Sequence, residues 1–132
     1  MADSFNFELV SPEQLLLSEA VSQVIIPGSD GEMTVMAHHA PTMTTIKPGI
    51  VSVTTDSGEN QRYVVFGGFA DILPDGCTLL AESAVRVEDI DHEALKQRIQ
   101  DTREDLADAR TDADKTRIAE HLDHLETLQN AV

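Results

Sequence analysis

The side chains that could do chemistry here are one cysteine and five histidines, set among 24 carboxylates. His38 and His39 are adjacent, so in a strand they would face opposite sides and could not both bind one metal ion. His121 and His124 stand three residues apart on one helix face, but a zinc site needs further converging ligands. We expect solvated histidines there, and a small metalloenzyme that uses His38 or His39 with Glu32 is the alternative.

Motifs of the common enzyme classes are missing from the sequence. It has no nucleophile elbow, no phosphate-binding loop and no His-Glu-x-x-His helix. Cys77 lies in a strand-like run with no base near it, which predicts a small buried hydrophobic residue rather than a nucleophile. Gly67-Gly68 lacks the spacing of a dinucleotide fingerprint and predicts a bulge or a close backbone approach. We therefore expect no catalytic residue, no cofactor and no metal ion.

The charge balance excludes two classes of partner. The chain of 132 residues has 24 acidic and nine basic residues, which gives a formal net charge of −15. Binding to a nucleic-acid duplex needs clustered Lys and Arg that displace counterions, and anionic lipid surfaces attract the same residues. We expect no nucleic-acid binding and no direct insertion into lipid, since the sequence also has no run of 18 apolar residues. The single cysteine favours a reducing compartment.

Glycine and proline divide the chain into two parts. All seven glycines and all five prolines lie in the first 76 residues. Residues 1–87 alternate apolar and polar side chains in short runs about ten residues apart, as in Phe5, Phe7 and Leu9, with turn sequences between the runs. This pattern predicts a β-sandwich or barrel.

The segment 27–49 fits this pattern less clearly because it is long and rich in turn residues. We expect a loop in which Met33, Met36, Met43 and Ile46 either present an adaptable apolar surface or fill the core. The residues alone leave both outcomes open.

Residues 88–132 change to a helical period. Apolar residues recur at intervals of three and four in 95–109 and again in 118–128. Asp91 is the expected N-cap of the first helix, and Thr111–Asp114 offers a cap for a second. Two helices of about 18 residues joined by a short turn predict an antiparallel hairpin. Because its apolar stripes are narrow, the hairpin is either a mobile, regulatory element or permanently packed on the sandwich.

An ordered set of short motifs resembles the epsilon subunit of bacterial F-type ATP synthases. The set comprises Gly28–Glu32, His39-Ala40-Pro41, Ile46–Ile50, Gly67–Asp71 and Ala81–Asp91. Each motif alone is weak, but the ordered set is specific, and the resemblance extends over nearly all 132 residues at the family's spacing. The resemblance implies a ten-stranded β-sandwich over residues 1–87 and a helical hairpin over residues 88–132, in agreement with the pattern.

The resemblance further implies a non-catalytic subunit of the central stalk, which couples proton-driven rotation of the membrane ring to ATP synthesis in the catalytic head. Its partners would be the gamma subunit and the ring of c subunits. Glu32, His39, Ala40 and Pro41 match the positions of ring contacts, and Ser11 matches a position close to gamma. The implied location is peripheral, on the cytoplasmic face of the bacterial inner membrane. The N-terminus agrees with a bacterial protein because it lacks the character of a transit peptide.

In this family the hairpin can extend along gamma, contact the catalytic beta subunit and inhibit ATP hydrolysis. Some members also bind ATP through an Ile/Leu-Asp-x-x-Arg-Ala motif, and here Ala94 stands in place of that arginine, so we expect no nucleotide binding. The inhibitory contact uses basic helix residues, whereas residues 88–132 hold 13 acidic and six basic residues. We therefore expect a weak inhibitor.

A free-standing sandwich that binds a small molecule or a carbohydrate is the second alternative, with the hairpin as a dimerisation element. Such a module would use aromatic residues for stacking in its loops. The chain has no tryptophan and a single tyrosine, Tyr63, which counts against this alternative.

Overall fold

The computed structural model describes residues 3–132, which form two compact units. The first unit ends at Val87 and holds the strands, and the second runs from Glu88 to Val132 and holds both α-helices. The strands are β1 (Phe5–Val10), β2 (Leu15–Gly28), β3 (Gly31–Val35), β4 (Thr42–Ile46), β5 (Gly49–Thr55), β6 (Asn60–Val65), β7 (Gly68–Leu73), β8 (Gly76–Ala81) and β9 (Ala84–Arg86). The helices are a single 3-10 turn (Val87–Asp89), α1 (His92–Asp108) and α2 (Asp112–Ala131).

Two layers of the first unit share strand β2. Its first half pairs with β1, and that layer continues from β1 through β8 and β7 to β4. Its second half pairs with β3 on one side and with β5 on the other, and that layer continues from β5 through β6 to β9. The register of β2 shifts between Val21 and Gln23, where the strand leaves β1 and joins β5. The last strand of the first layer, β4, pairs with β2 in turn, through Ile46 and Gly28. The predicted sandwich is therefore confirmed.

The described residues form nine strands, whereas the resemblance implied ten. The difference arises because β2 is one continuous strand of 14 residues that serves both layers. A strand of this length spans about 45 Å, since each residue advances by about 3.3 Å.

The core lies between the layers and consists of the inward residues of each alternating strand. Phe5, Phe7 and Leu9 of β1 are buried, as the alternation of apolar and polar residues predicted. Across the core, Val51 and Val53 of β5 are fully buried as well. Burial of these side chains is the main stabilising contribution to the unit.

The expectation of a loop over residues 27–49 is wrong for most of that segment. It contains the end of β2, all of β3 and β4, and the start of β5, so only residues 36–41 form a long connection. Met33 packs against the core and Ile46 is buried, whereas Met36 and Met43 are 52% and 70% exposed. The methionines therefore divide between the core and the surface.

The second unit is the predicted helical hairpin, with α1 packed against α2. The Asp91 carboxylate accepts hydrogen bonds from the backbone N–H groups of Glu93 and Ala94, at 3.0 and 3.1 Å. The Thr111 hydroxyl accepts one from Asp114 at 3.1 Å. Both predicted N-caps are thus confirmed, and they satisfy N–H groups that have no partner within a helix.

Each helix of the hairpin buries one apolar stripe. The buried residues are Leu95, Ile99 and Thr102 on α1 and Leu125 and Leu128 on α2. In the described part of the chain, no helix is both long enough and apolar enough to cross a membrane.

Candidate interaction site

Ser11 lies just past the end of β1, in a tight turn. Its backbone N–H donates to the carbonyl oxygen of Gln14 at 2.9 Å, and the N–H of Gln14 donates back to Ser11 at 3.3 Å. The reciprocal pair holds the turn in one conformation and leaves the Ser11 side chain half-buried. Beside it opens a cavity of about 570 Å³ whose walls include Pro12, Phe69 and Leu80. Ser11 therefore stands at the rim of an apolar groove.

Glu32 lies near the start of β3, directly after the two-residue hairpin turn that joins β2 to β3. Gly28 pairs with Gly31 across this turn. The turn is held against the end of β4, because the N–H of Ser29 donates to the carbonyl oxygen of Thr45 at 2.9 Å. The Glu32 side chain is exposed, so its carboxylate is accessible to a partner on a fixed piece of backbone.

His39, Ala40 and Pro41 lie in the connection between β3 and β4. Nδ1 of His39 is 2.8 Å from the carbonyl oxygen of Ala40, and since a carbonyl can only accept, Nδ1 carries the proton and donates. Ala40 and Pro41 are exposed. The three residues form a polar and apolar surface directly before β4.

His38 lies in the turn after β3 and His39 follows it in the connection to β4, so neither is in a strand and the argument from opposite faces of a strand does not apply to them. His38 has φ of 65°, in the left-handed region, and such a residue cannot continue a strand. Its N–H donates to the carbonyl oxygen of Pro74 at 2.7 Å, and its Nε2 is 2.9 Å from a carboxylate oxygen of Asp3. These contacts join the turn to the start of the chain and to the β7–β8 turn.

The structure does not bring the four predicted ring-contact residues together. Pro41 directly precedes β4, whereas the turn before Glu32 lies against the other end of that strand. Five strand residues span about 17 Å. A partner that contacts Glu32 and also the segment 39–41 must therefore extend along the length of β4.

Residues 3–132 contain no cluster of side chains that would support the metalloenzyme alternative. No three His, Cys, Asp or Glu side chains of the described chain converge closely enough to hold a metal ion. Glu32 lies near the start of β3 and His38 lies beyond its end, which explains why they do not meet.

Cys77 is buried in the core of the sandwich, as predicted. Burial in the core, together with the smaller effect of the nearby negative charge of Asp71, raises the pKa of its thiol from 9.0 to about 12. A thiol with so high a pKa is protonated at neutral pH and is a poor nucleophile.

Gly67 and Gly68 allow the close backbone approach that the sequence predicted. They have φ of 130° and 129°, which side chains rarely adopt. A Cβ atom at Gly68 would overlap the carbonyl oxygen of Leu80 on the neighbouring strand. A Cβ atom at Gly67 would lie 3.1 Å from the carboxylate of Glu82.

Sequence reasoning missed a set of exposed apolar side chains on the sandwich. Met43, Phe69, Leu73 and Leu80 are 38–70% exposed and lie on three neighbouring strands of one layer. The strand β7 reads Gly-Phe-Ala-Asp-Ile-Leu, so apolar residues occur on both of its faces. That double-sided pattern was the available signal, because a strand with one solvated face has polar residues there.

Comparison with known proteins identifies the family to which this chain belongs. The model of the delta/epsilon chain β-sandwich domain of ATP synthase matches residues 4–87. ATP synthase epsilon chains of Mesorhizobium japonicum and Rhizobium etli are 62% and 61% identical over 132 residues, which is all of this chain and 98% of each relative. The chain belongs to the ATP synthase epsilon chain family. The resemblance noted from the short motifs is thereby confirmed.

Two solved structures support the same fold. A chain in the mitochondrial ATP synthase of Euglena gracilis, in an assembly of OSCP, F1 and c-ring, matches 97% of this chain with a TM-score of 0.77 and 28% identity, over 81% of its own length. A chain in the central stalk and c-ring of Tetrahymena thermophila ATP synthase matches 98% of this chain, over 96% of its own length. Its TM-score is 0.66 and its identity 13%, so it supports the fold alone.

Epsilon chains are non-catalytic stalk subunits of the rotary ATP synthase, and this chain is one of them. Its relatives are bacterial, and the complex to which epsilon chains belong is associated with a membrane. The functional residues of such a subunit are those that contact neighbouring subunits, so the exposed turns and faces of the sandwich are the relevant surfaces.

Proposed function

We propose that this epsilon chain couples proton-driven rotation of the membrane ring to ATP synthesis, and that it does so on the cytoplasmic face of a bacterial inner membrane. The observation that carries the proposal is the match along the full chain to bacterial epsilon chains. The Euglena neighbour, which lies in an assembly with F1 and a c-ring, supports the ring as a partner.

The sandwich is suited to transmit torque because it resists shear. Five of its strands, β1, β8, β7, β4 and β2, close into a ring of hydrogen-bonded pairs, and the other four described strands extend from β2. The inward residues of the strands fill a single core. A packed protein interior deforms little under load. The sandwich therefore acts as a rigid wedge between the shaft and the ring.

Ser11 contacts the gamma subunit in this proposal, and its geometry is favourable. The turn at Ser11 and Gln14 is fixed by two backbone hydrogen bonds and borders an apolar groove. A partner would meet a preorganised surface there, which lowers the entropy lost on binding.

Glu32, His39, Ala40 and Pro41 contact the c-ring in this proposal. They lie in two regions separated by the length of β4, and Glu32, Ala40 and Pro41 are exposed. A ring of several subunits presents repeated surfaces, so two such regions can contact it at once. Glu32 would supply a charged contact and the segment 39–41 an apolar one.

The hairpin is a weak inhibitor of ATP hydrolysis in this proposal, even if it extends to reach the beta subunit. Residues 88–132 carry a formal net charge of −7. Two of the six cations already face carboxylates within the hairpin: Arg103 is 3.9 Å from Glu126, and Arg117 is 3.4 Å from Asp114. These exposed pairs are individually weak, but the excess negative charge disfavours an acidic partner.

Nucleotide binding at the start of α1 is absent from the proposed function. Ala94 lies in the first turn of α1, and its backbone N–H already donates to the Asp91 carboxylate. A methyl side chain provides neither the charge nor the hydrogen bonds with which an arginine holds phosphate.

The decisive experiment is binding of this chain to purified gamma subunit from the same source, measured by calorimetry. We expect a one-to-one complex. Ser11→Arg should weaken it at least tenfold, whereas Glu59→Lys, an exposed change in the β5–β6 turn, should not. Absence of binding at micromolar concentrations, with both proteins shown to be folded, would overturn the proposal.

The regulatory part has a separate test. ATP hydrolysis by the reconstituted complex is measured with the full chain and with residues 1–88. We expect less than a twofold difference between the two. A several-fold rise on truncation would show that the hairpin is a strong inhibitor.

A further inference from the structure

His38 has an unusual backbone conformation. Within residues 3–132 it is the one non-glycine residue with a φ in the left-handed region, at 65°. A residue with a side chain seldom adopts this conformation, and it keeps it only where surrounding contacts hold it in place. The contacts of His38 therefore determine the course of the chain between β3 and β4.

Those contacts join three segments of the sandwich. The backbone N–H of His38 donates to the carbonyl oxygen of Pro74 in the β7–β8 turn, at 2.7 Å. Its Nε2 is 2.9 Å from Oδ2 of Asp3, and since a carboxylate can only accept, Nε2 carries a proton and donates. Close by, the N–H of Asn6 donates to the carbonyl oxygen of Asp75, at 3.3 Å. The start of the chain, the β3–β4 connection and the β7–β8 turn thus meet at His38.

The rest of the connection is held more loosely. Ala37 packs against the core, but the side chains of His39 and Thr42 both bond to the carbonyl oxygen of Ala40, within or directly beside the connection. Among the hydrogen bonds of the described residues, those of His38 are the ones that tie residues 36–41 to other parts of the sandwich. His38 therefore fixes the position of the residues that follow it.

The side-chain bond of His38 depends on its charge. An imidazole changes charge between about pH 5 and pH 8. When neutral it donates an ordinary hydrogen bond to Asp3, and when protonated it forms a stronger, charge-assisted one. The strands β1, β3 and β7, the β7–β8 turn and the connection itself hold no lysine or arginine that would compete for Asp3. Their remaining charged groups are Glu8, Glu32, Asp71, Asp75 and His39.

We propose that His38 is a positioning residue for the c-ring contact, and that its bond to Asp3 is a latch that tightens as the pH falls. The inference rests on the proposed function, because it takes His39, Ala40 and Pro41 as ring contacts from there. A segment that is already held in one conformation loses less entropy when it binds. Ring binding is therefore favoured at lower pH.

The exposure of the two side chains limits the size of the effect. The side chain of His38 is 75% exposed and that of Asp3 71%. Exposed ion pairs change an equilibrium by about two- to fivefold, and salt screens them. The latch therefore adjusts ring binding gradually and does not switch it on or off.

The first test measures the latch in the full chain without any partner. Nuclear magnetic resonance gives the protection of the amide at position 38 against exchange with water, relative to an unstructured peptide. We expect about two- to fivefold more protection at pH 6 than at pH 8, and a smaller difference at high salt. Equal protection at both pH values would overturn the inference.

Two variants separate the latch from a purely structural role of His38. Asp3→Asn keeps the shape of the acceptor without its charge, and His38→Asn tolerates a positive φ but does not titrate. Both should lose the pH dependence, whereas His92→Asn, which removes an exposed histidine at the start of α1, should keep it. A pH dependence that persists in Asp3→Asn would overturn the inference.

The second test measures binding of the complex of this chain with its gamma subunit to purified c-ring from the same source, at pH 6 and pH 8. The ratio of the two affinities should be about two- to fivefold larger for the wild type than for Asp3→Asn. Equal ratios would overturn the positioning role and leave the proposed function standing. Failure of the wild type to bind the ring at either pH would instead overturn the proposed ring contact itself.

Discussion

Gly68 shows how a single residue sets the distance between two strands. Its φ of 129° and the nearby carbonyl oxygen of Leu80 leave no room for a Cβ atom. Gly58 has a φ of 89° but no heavy atom within 4 Å of the corresponding position. A side chain added at Gly58 would therefore cause backbone strain alone, whereas one added at Gly68 would cause backbone strain and a steric clash.

We expect Gly68→Ala to lower the free energy of unfolding by about 3 kcal/mol or more, since the β7–β8 pairing must open to admit the methyl group. Gly58→Ala carries only the strain of positive φ and should cost about 1 kcal/mol. Denaturant unfolding of both variants measures the difference. Equal losses of stability would show that the strands shift at no cost.

Cys77 links the core to a pH dependence of stability. Its native pKa of about 12 lies above the ordinary value of 9.0, so between these values the native state keeps a proton that the unfolded state releases. Unfolding is therefore favoured as the pH rises through this window, by up to about 1.4 kcal/mol per pH unit. Below pH 9 this group contributes no pH dependence.

The prediction for Cys77 is a loss of stability between pH 9 and pH 12 that is smaller in Cys77→Val. The valine variant keeps an apolar side chain in the core and removes the thiol. The native thiol should also react with a maleimide at pH 8 at least 100-fold more slowly than the thiol of the unfolded chain. Rapid labelling of the folded protein would contradict the assigned burial.

Elements with one apolar face were predictable from the sequence, and elements that depend on tertiary pairing were not. The alternation in β1 and the stripes of α1 and α2 arise because one side of each element is buried, so the spacing of apolar residues alone identified them. β4 was missed because Thr-Met-Thr-Thr-Ile has little alternation of its own. Its strand conformation comes from full pairing with β7.

The interaction site was less predictable than the fold for a related reason. Glu32 and the segment 39–41 were identified only through the family resemblance, and no local pattern marks them as contacts. Their separation along β4 follows from pairing between distant segments. The exposed side chains of Phe69 and Leu80 likewise lie side by side only because β7 and β8 pair in this register.

The two N-caps of the hairpin set where its helices begin. Asp91→Ala and Thr111→Ala should each lower hairpin stability by about 1 kcal/mol, since each removes the acceptor for N–H groups of the first turn. Asp89→Ala removes an exposed carboxylate of the 3-10 turn instead and serves as the control. Thermal unfolding followed by circular dichroism at 222 nm compares the three variants. A loss from Asp89→Ala as large as that from Asp91→Ala would refute the capping role.

At the scale of the whole molecule, the two units differ in how they are stabilised. The core cluster of the sandwich draws its buried residues from positions 5–81 alone. The hairpin has five buried residues for its two helices and a formal net charge of −7. Isolated helices of this length are marginal in water, and repulsion between like charges weakens them further.

We therefore expect residues 1–87 to fold alone with a cooperative denaturant transition, and residues 88–132 alone to be less than half helical at low salt. Raising the salt should increase the helicity of the second fragment, because screening reduces repulsion among its carboxylates. Circular dichroism of the two fragments and of the full chain measures both effects. A sandwich fragment without a cooperative transition would mean that its core needs the hairpin, and the stiff wedge proposed for torque transfer would then depend on both units together.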